Sequence, residues 1–215
     1  MVSLKRYFGW ATNTGRISRD PSRVVKLVEQ APRPPRHLSD KEESDLVAAV
    51  TESGNLRDYT LVVVLLHTGL RVGETCRLKW EHVTLRKRSG HLRVWGKRNK
   101  YREVPLNVTT RKALATYKGT VKPTNEDYIF NSQRTKTRLT PRGIHFIITK
   151  YADKAGVSGL RTHDLRHRFG YRMAERVPLH RLAQIMGHDS LDTTMLYVKG
   201  TPQDLQQAVE SIVWE

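Results

Sequence analysis

Between Val83 and Leu106 the apolar pattern changes period. Val83-Thr-Leu85, His91-Leu-Arg-Val-Trp95 and Arg102-Glu-Val-Pro-Leu106 read as short strands, with Ser89-Gly90 and Gly96-Lys-Arg-Asn99 as turns between them. The segments on both sides read as helices. A chain with this pattern is confined to an α+β fold, mainly α, with one small antiparallel three-stranded sheet.

The helical segments carry their own punctuation. Leu4–Thr12 reads as an amphipathic helix, and Ala31-Pro-Arg-Pro-Pro-Arg36 follows as a stiff linker, because three prolines in four residues exclude helix. Ser39 and Glu42 have capping-box spacing and predict a helix over 40–52. Arg57–His67 predicts a buried helix stopped at Gly69, and Val72–Lys79 a short one after it. Helices resume after Val108 and at Thr140-Pro141, where proline suits a first turn. Gly156 ends that helix. Thr162 is expected to cap a helix over 163–176, Gly187 to end the one after Pro178, and a final helix to hold Tyr197. Pro202–Val213 reads as an amphipathic tail, with Leu205, Val209 and Ile212 on one stripe.

Charge narrows the partner. The chain has 38 Lys+Arg against 21 Asp+Glu, a net +17, so its surface needs an anion, most often nucleic acid. Ribosomal, architectural and membrane-surface proteins share that property. The single cysteine, Cys76, excludes an internal disulfide and a cysteine-cluster zinc site. The longest apolar run, Leu61–Leu66, is too short to span a bilayer, so no membrane partner is expected. A reducing, cytoplasmic location is the default expectation.

A set of residues suited to phosphodiester chemistry runs through the chain. Arg71 follows the Gly69 break, where the backbone can aim a guanidinium at a phosphate; a salt bridge to Glu74 is the ordinary alternative. Lys97 sits in a turn from which it can protonate a leaving alkoxide, with Lys100 a rival. Plain contact with backbone phosphates is the simpler reading of both. His163 and Arg166, three apart on a helix, share a face and can grip one phosphate. His163 can also take the nucleophile's proton. His188 projects past a glycine-ended helix. Tyr197, ordinarily a packing residue, has a phenol of pKa ~10 that is about 0.1% ionised at pH 7 and needs a base or cations beside it. Each residue alone has a bland explanation. In combination they can stabilise a pentacovalent phosphorane while Tyr197 attacks. The ester energy is then held as phosphotyrosine, so neither ATP nor a metal cofactor is required.

Thr68-Gly-Leu-Arg-Val-Gly-Glu74, Gly96–Leu106, His163-Asp-Leu-Arg-His167, Met186-Gly-His188 and Thr193-Thr-Met-Leu-Tyr197 together resemble the tyrosine recombinase (phage integrase) family over about residues 38–200. The resemblance implies a mostly helical catalytic domain with a small sheet. It implies catalytic roles for Arg71, Lys97, His163, Arg166, His188 and Tyr197, the last as nucleophile, with Glu74 in support. The reaction implied is DNA cleavage through a 3′-phosphotyrosyl link, reversed by a 5′-hydroxyl. The implied assembly is a tetramer on double-stranded DNA, compatible with a free monomer, located on the nucleoid. Arg98, Lys100, Arg102, Arg142, Arg161, His167 and Arg168 are expected to touch DNA.

Residues 1–30 resemble only the end of the family's core-binding domain, 31–37 the linker, and 201–215 a tail that docks on a neighbouring subunit. A truncated chain, a minimal recombinase or a relic would each fit. Arg98 stands where the family often has glycine, and Arg168 where a small hydroxyl residue is usual, so Arg168 either adds a phosphate contact or crowds its helix. Two other readings stay open. One is a type IB topoisomerase-like nicking-closing enzyme. The other is a non-catalytic DNA-binding protein, with Leu179–Tyr197 as a helix-turn-helix.

Overall fold

A computed structural model describes residues 2–25, 36–96, 101–188 and 190–198. The chain divides at Pro34/Pro35 into two units. In the first, α1 (Val2–Asn13) ends before Gly15, and the Arg16 guanidinium lies 4.8 Å over the Trp10 ring. Residues 31–35 of the expected linker lie outside the described residues, as does the expected tail.

The second unit opens on α2 (Asp40–Glu52). Its capping box forms as the spacing predicts: the Glu42 amide donates to Ser39 Oγ and the Ser39 amide to Glu42 Oε2. Next comes α3 (Leu56–Thr68). Leu61 through Leu66 are all at most 3% exposed, because α2, α5 (Val108–Val121) and α7 (Thr162–Ala174) surround this helix. Burying each such side chain is worth about 1.5–3 kcal/mol before entropy is counted, so α3 is the axis of the core. It stops at Gly69, whose φ of 61° is left-handed. A β-carbon there would lie 2.4 Å from the Phe169 ring, so both the turn and the approach of α7 require glycine.

The short α4 (Val72–Cys76) ends earlier than its sequence suggests. Leu78 turns into the core and Lys79 pairs with Tyr128 in an isolated bridge, which pulls the chain out of helix. After a 3₁₀ turn at Trp80–His82 come β1 (Val83–Leu85), β2 (Gly90–Trp95) and β3 (Tyr101–Pro105), antiparallel in the order β1-β2-β3. Leu92, Val94 and Val104 face the core in alternation with outward residues. The β2–β3 turn, 97–100, lies outside the described residues.

α6 (Pro141–Lys154) starts as expected, with the Gly143 amide donating to Thr140 Oγ1. α7 needs a correction. Its N-cap is Arg161, not Thr162, and the Asp164 carboxylate accepts the Arg161 amide at 2.8 Å. The helix stops at Ala174, two residues short of the expected end. α8 (Leu179–Met186) ends at left-handed Gly187 as predicted. The final helix, α9 (Asp192–Met195), stops before Tyr197, so the tyrosine lies just past it. Among the described residues no helix is long and apolar enough to cross a membrane.

Candidate active site

The C-terminus of α8 organises the site. A helix end leaves carbonyls without partners, and each must be satisfied. The His188 amide donates to Ala183 O and the Gly187 amide to Gln184 O, a pairing that glycine in the left-handed region makes possible. Three arginines take the next three carbonyls. Arg102 Nε donates to Ile185 O at 2.8 Å, Arg166 Nη2 to Met186 O at 3.0 Å and Arg71 Nη2 to Gly187 O at 2.9 Å. These arginines come from β3, α7 and the α3–α4 turn, so one helix terminus draws three distant segments together. Their charge also suits the negative end of the helix dipole.

Glu74 ties two of the three to each other. Its carboxylate accepts from the Arg71 amide at 2.8 Å, Arg71 Nη1 at 3.2 Å, and Arg102 Nη1 and Nη2 at 2.9 and 3.0 Å. Burial pushes this carboxyl up, but the Arg102 and Arg71 bonds and charges more than offset it and hold the group below its ordinary range. The Arg71 side chain bonds Glu74 and still remains 45% exposed, so the two sequence readings of this residue are compatible. Two of its five N–H donors are engaged in these bonds, and the others are left to a ligand. Arg166 is 3% exposed and also donates to Gly69 O. Burial, then the Arg71 charge, bring it down to about 10, which leaves it protonated at neutral pH.

Tyr197 is 6% exposed. Its ring lies edge-on to Tyr171, with centroids 5.2 Å apart, and nearly parallel to His188 at 6.3 Å. Burial raises its phenol above the ordinary value, against the pull of Arg166 and Arg71. His188 Nδ1 lies 2.7 Å from Thr194 Oγ1, which orients the ring. Burial, then Arg166 and Arg71, bring His188 down to about 4. His163 reaches the surface at the start of α7. Partial desolvation, then Arg166, lower it. Arg71, Glu74, Arg77, Arg102, Gly187 and His188 line an open cleft of about 510 Å³ beside this cluster.

Arg71, Glu74, His163, Arg166, His188 and Tyr197 are therefore brought to one place. Lys97, Arg98 and Lys100 lie outside the described residues. Arg142 and Arg161 are exposed, as a DNA contact requires. Three expected DNA contacts are placed elsewhere. Arg102 is the strut between Glu74 and α8. Arg168 is 4% exposed and pairs with Asp40 and Glu43 of α2, so it neither reaches for phosphate nor crowds its helix. His167 turns inward, with Nδ1 3.1 Å from Tyr197 Oη. Its i,i+4 spacing from His163 was the signal that both share one helix face. Thr194 and Gly170, also part of this site, carried no such signal.

The family model described as the phage integrase family matches residues 36–204. The chain belongs to the phage integrase family. Within it, the tyrosine recombinase XerA of Pyrococcus horikoshii is 34% identical over 179 residues, which cover 82% of this chain and 61% of that protein. The chain thus spans 61% of the length of this curated relative. The crystal structure of a XerA recombinase matches with a TM-score of 0.71 at 27% identity, covering 99% of this chain and 84% of that one. The XerH site-specific recombinase, solved bound to its difH substrate, has the same fold, with a TM-score of 0.76 at 22% identity over 98% of this chain and 63% of that one. Among phage integrase relatives named tyrosine recombinases, the topoisomerase and non-catalytic readings are not favoured.

Proposed function

We propose that this chain carries the strand-cleaving centre of a site-specific DNA recombinase or integrase. Tyr197 Oη attacks a DNA phosphodiester, a 3′-phosphotyrosyl link forms, and a 5′-hydroxyl leaves. A 5′-hydroxyl from another strand then reverses the step. The observation that carries this reading is the placement of one tyrosine against two imidazoles, within the field of Arg71 and Arg166, beside an open cationic cleft. Arg71 and His188 Nε2 would hold the phosphate oxygens. Arg166, from beneath, would offset their charge, and Glu74 would keep Arg71 in place. One such preorganised donor is worth roughly 10²–10³ in rate. Lys97 is assigned, from its sequence motif, the role of acid to the leaving 5′-oxygen.

Double-stranded DNA is the proposed partner, in line with the XerH relative solved bound to its difH substrate. Assembly on it is proposed as a tetramer, with residues 201–215 reaching a neighbouring subunit. Residues 38–200 are assigned as the catalytic domain and 1–30 as the end of a core-binding region.

The test is covalent trapping. The protein is incubated with supercoiled and fragmented DNA without metal, quenched with SDS, and assayed for protein bound to DNA, beside Tyr197→Phe. The expected result is an adduct that the variant abolishes. An adduct that persists in Tyr197→Phe overturns the assignment of the nucleophile.

A further inference from the structure

We propose that His167 is the proton acceptor for Tyr197 and that Gly170 is the floor that brings the phenol within its reach. The inference rests on the reading of Tyr197 as nucleophile.

Two independent features meet at the phenol. The first is the hydrogen bond. His167 Nδ1 lies 3.1 Å from Tyr197 Oη, and the ring planes are tilted by 55°, so the nitrogen edge approaches the oxygen. His163, the base suggested by sequence, meets His167 instead: their rings are edge-on with centroids 4.5 Å apart.

The second feature is Gly170, one turn further along the same helix. A β-carbon at this position would lie 2.5 Å from Tyr197 Cζ, 2.6 Å from Cε1 and 2.7 Å from Cε2. Cζ is the carbon that bears the reacting oxygen. Only a residue without a side chain lets the phenol end of the ring lie this close to α7.

Before the transfer the phenol is protonated and the imidazole neutral, while the low basicity of His167 opposes the transfer itself. Burial keeps the phenol protonated, since it lifts Tyr197 above its ordinary value. Burial, then the His163 charge, bring His167 down to about 4, so at neutral pH the imidazole is neutral and has a lone pair to offer. The charged and titratable groups around it are His163, Asp164 and Arg166 on its own helix, with His188 and Tyr197 beyond α8. A DNA phosphate entering the cleft adds a negative charge, which raises the basicity of these histidines when it is needed.

The step balances as follows. The O–H bond of Tyr197 breaks, and the proton goes to His167 Nδ1. The electron pair on Oη forms the bond to phosphorus. The bond from phosphorus to the 5′-oxygen breaks, and that oxygen takes a proton from Lys97. In the reverse step a 5′-hydroxyl gives its proton to Lys97 and bonds to phosphorus, the bond from phosphorus to Oη breaks, and the tyrosine recovers its proton from His167.

The test has two arms, both on the full chain. In the first, nitrogen-15 NMR of labelled histidine follows His167 in the protein without DNA. Nδ1 is expected to carry no proton at pH 7, and its resonance to move in Tyr197→Phe and in Gly170→Ala. A proton on Nδ1, or no response to either variant, overturns the proposal. In the second, rates of SDS-trapped adduct on supercoiled plasmid are compared between wild type, His167→Ala and His167→Gln. A general base contributes about 10²–10⁴-fold, so a loss of at least about 10²-fold is expected in His167→Ala. Added imidazole should restore part of it, which no purely structural defect would allow. An adduct formed at the wild-type rate in His167→Ala overturns the proposal. If wild type itself forms no adduct, the nucleophile reading fails, while the nitrogen shifts still decide which group holds the phenol's proton.

Discussion

Glu74 receives four hydrogen bonds from two arginines while 5% exposed. Glu74→Gln keeps its shape, removes its charge and turns one acceptor into a donor facing a guanidinium. Breaking one side of a buried pair costs about 3–5 kcal/mol, so a loss of that order in urea unfolding is expected. A loss below about 1 kcal/mol would mean that water replaces the carboxylate without penalty. Trapping activity should fall further than stability, because Arg71 loses the bond that aims it. At this scale the sequence was most legible where partners are close in the chain, although the Arg161–Asp164 cap escaped it. Ser39 with Glu42, Thr140 with Gly143, and Arg71 with Glu74 are three apart, and each bond forms. Arg102 with Glu74, Arg168 with Asp40, and His167 with Tyr197 lie 28, 128 and 30 residues apart. No local pattern states which carbonyl or carboxylate such a side chain will meet, so all three read as surface cations.

At the scale of elements, periods and glycines carried the helices and strands, and tertiary packing decided where they stop. α4 is cut short because Leu78 has a place in the core, which the sequence of the helix alone does not reveal. Gly69 joins the two levels. Gly69→Ala would strain the left-handed turn by roughly 1 kcal/mol and drive a methyl into Phe169, for about 1–3 kcal/mol more. A combined loss of about 2–4 kcal/mol in urea unfolding is expected; a neutral variant would show that α7 can shift freely. The segment from α7 to Tyr197 should also give the fold an acid sensitivity. His167 and His188 are both held at about 4 in the folded protein, against ~6.5 when unfolded. Between these values the unfolded chain binds protons that the native state refuses, so stability falls as pH drops from about 6.5 toward 4. Glu74, depressed by its arginines, adds a loss only below ~4.5 as it too becomes protonated. Urea midpoints at pH 7, 5.5 and 4.5 should decline, and His188→Gln should flatten the decline above 4.5. A midpoint constant from 7 to 4.5 would contradict the burial of these imidazoles.

For the molecule as a whole, the net charge of +17 conceals a division of labour among cations. Some are structural: Arg168 clamps α7 to α2, and Arg102 joins β3 to α8. Others, including Arg77, Arg93, Arg142 and Arg161, are exposed and available to a polyanion. Each phosphate neutralised on duplex DNA releases counterions, so log K falls against log salt with a slope of about −0.9 per contact. With about six contacts, affinity should drop ~10³-fold between 50 and 200 mM salt. The division makes this prediction specific. Arg142→Ala and Arg161→Ala should each lower the slope by about one and weaken binding to all sequences alike. Arg168→Met should leave the slope unchanged and appear instead as lost stability, because it leaves the largely buried Glu43 with only the half-exposed Arg172 as a cation. Fluorescence titrations of each variant on one duplex at four salt concentrations would separate the two classes. If Arg168→Met reduced the slope as much as Arg142→Ala while the fold stayed intact, Arg168 would have to leave its carboxylates on binding, and the α2–α7 clamp would be part of the DNA interface.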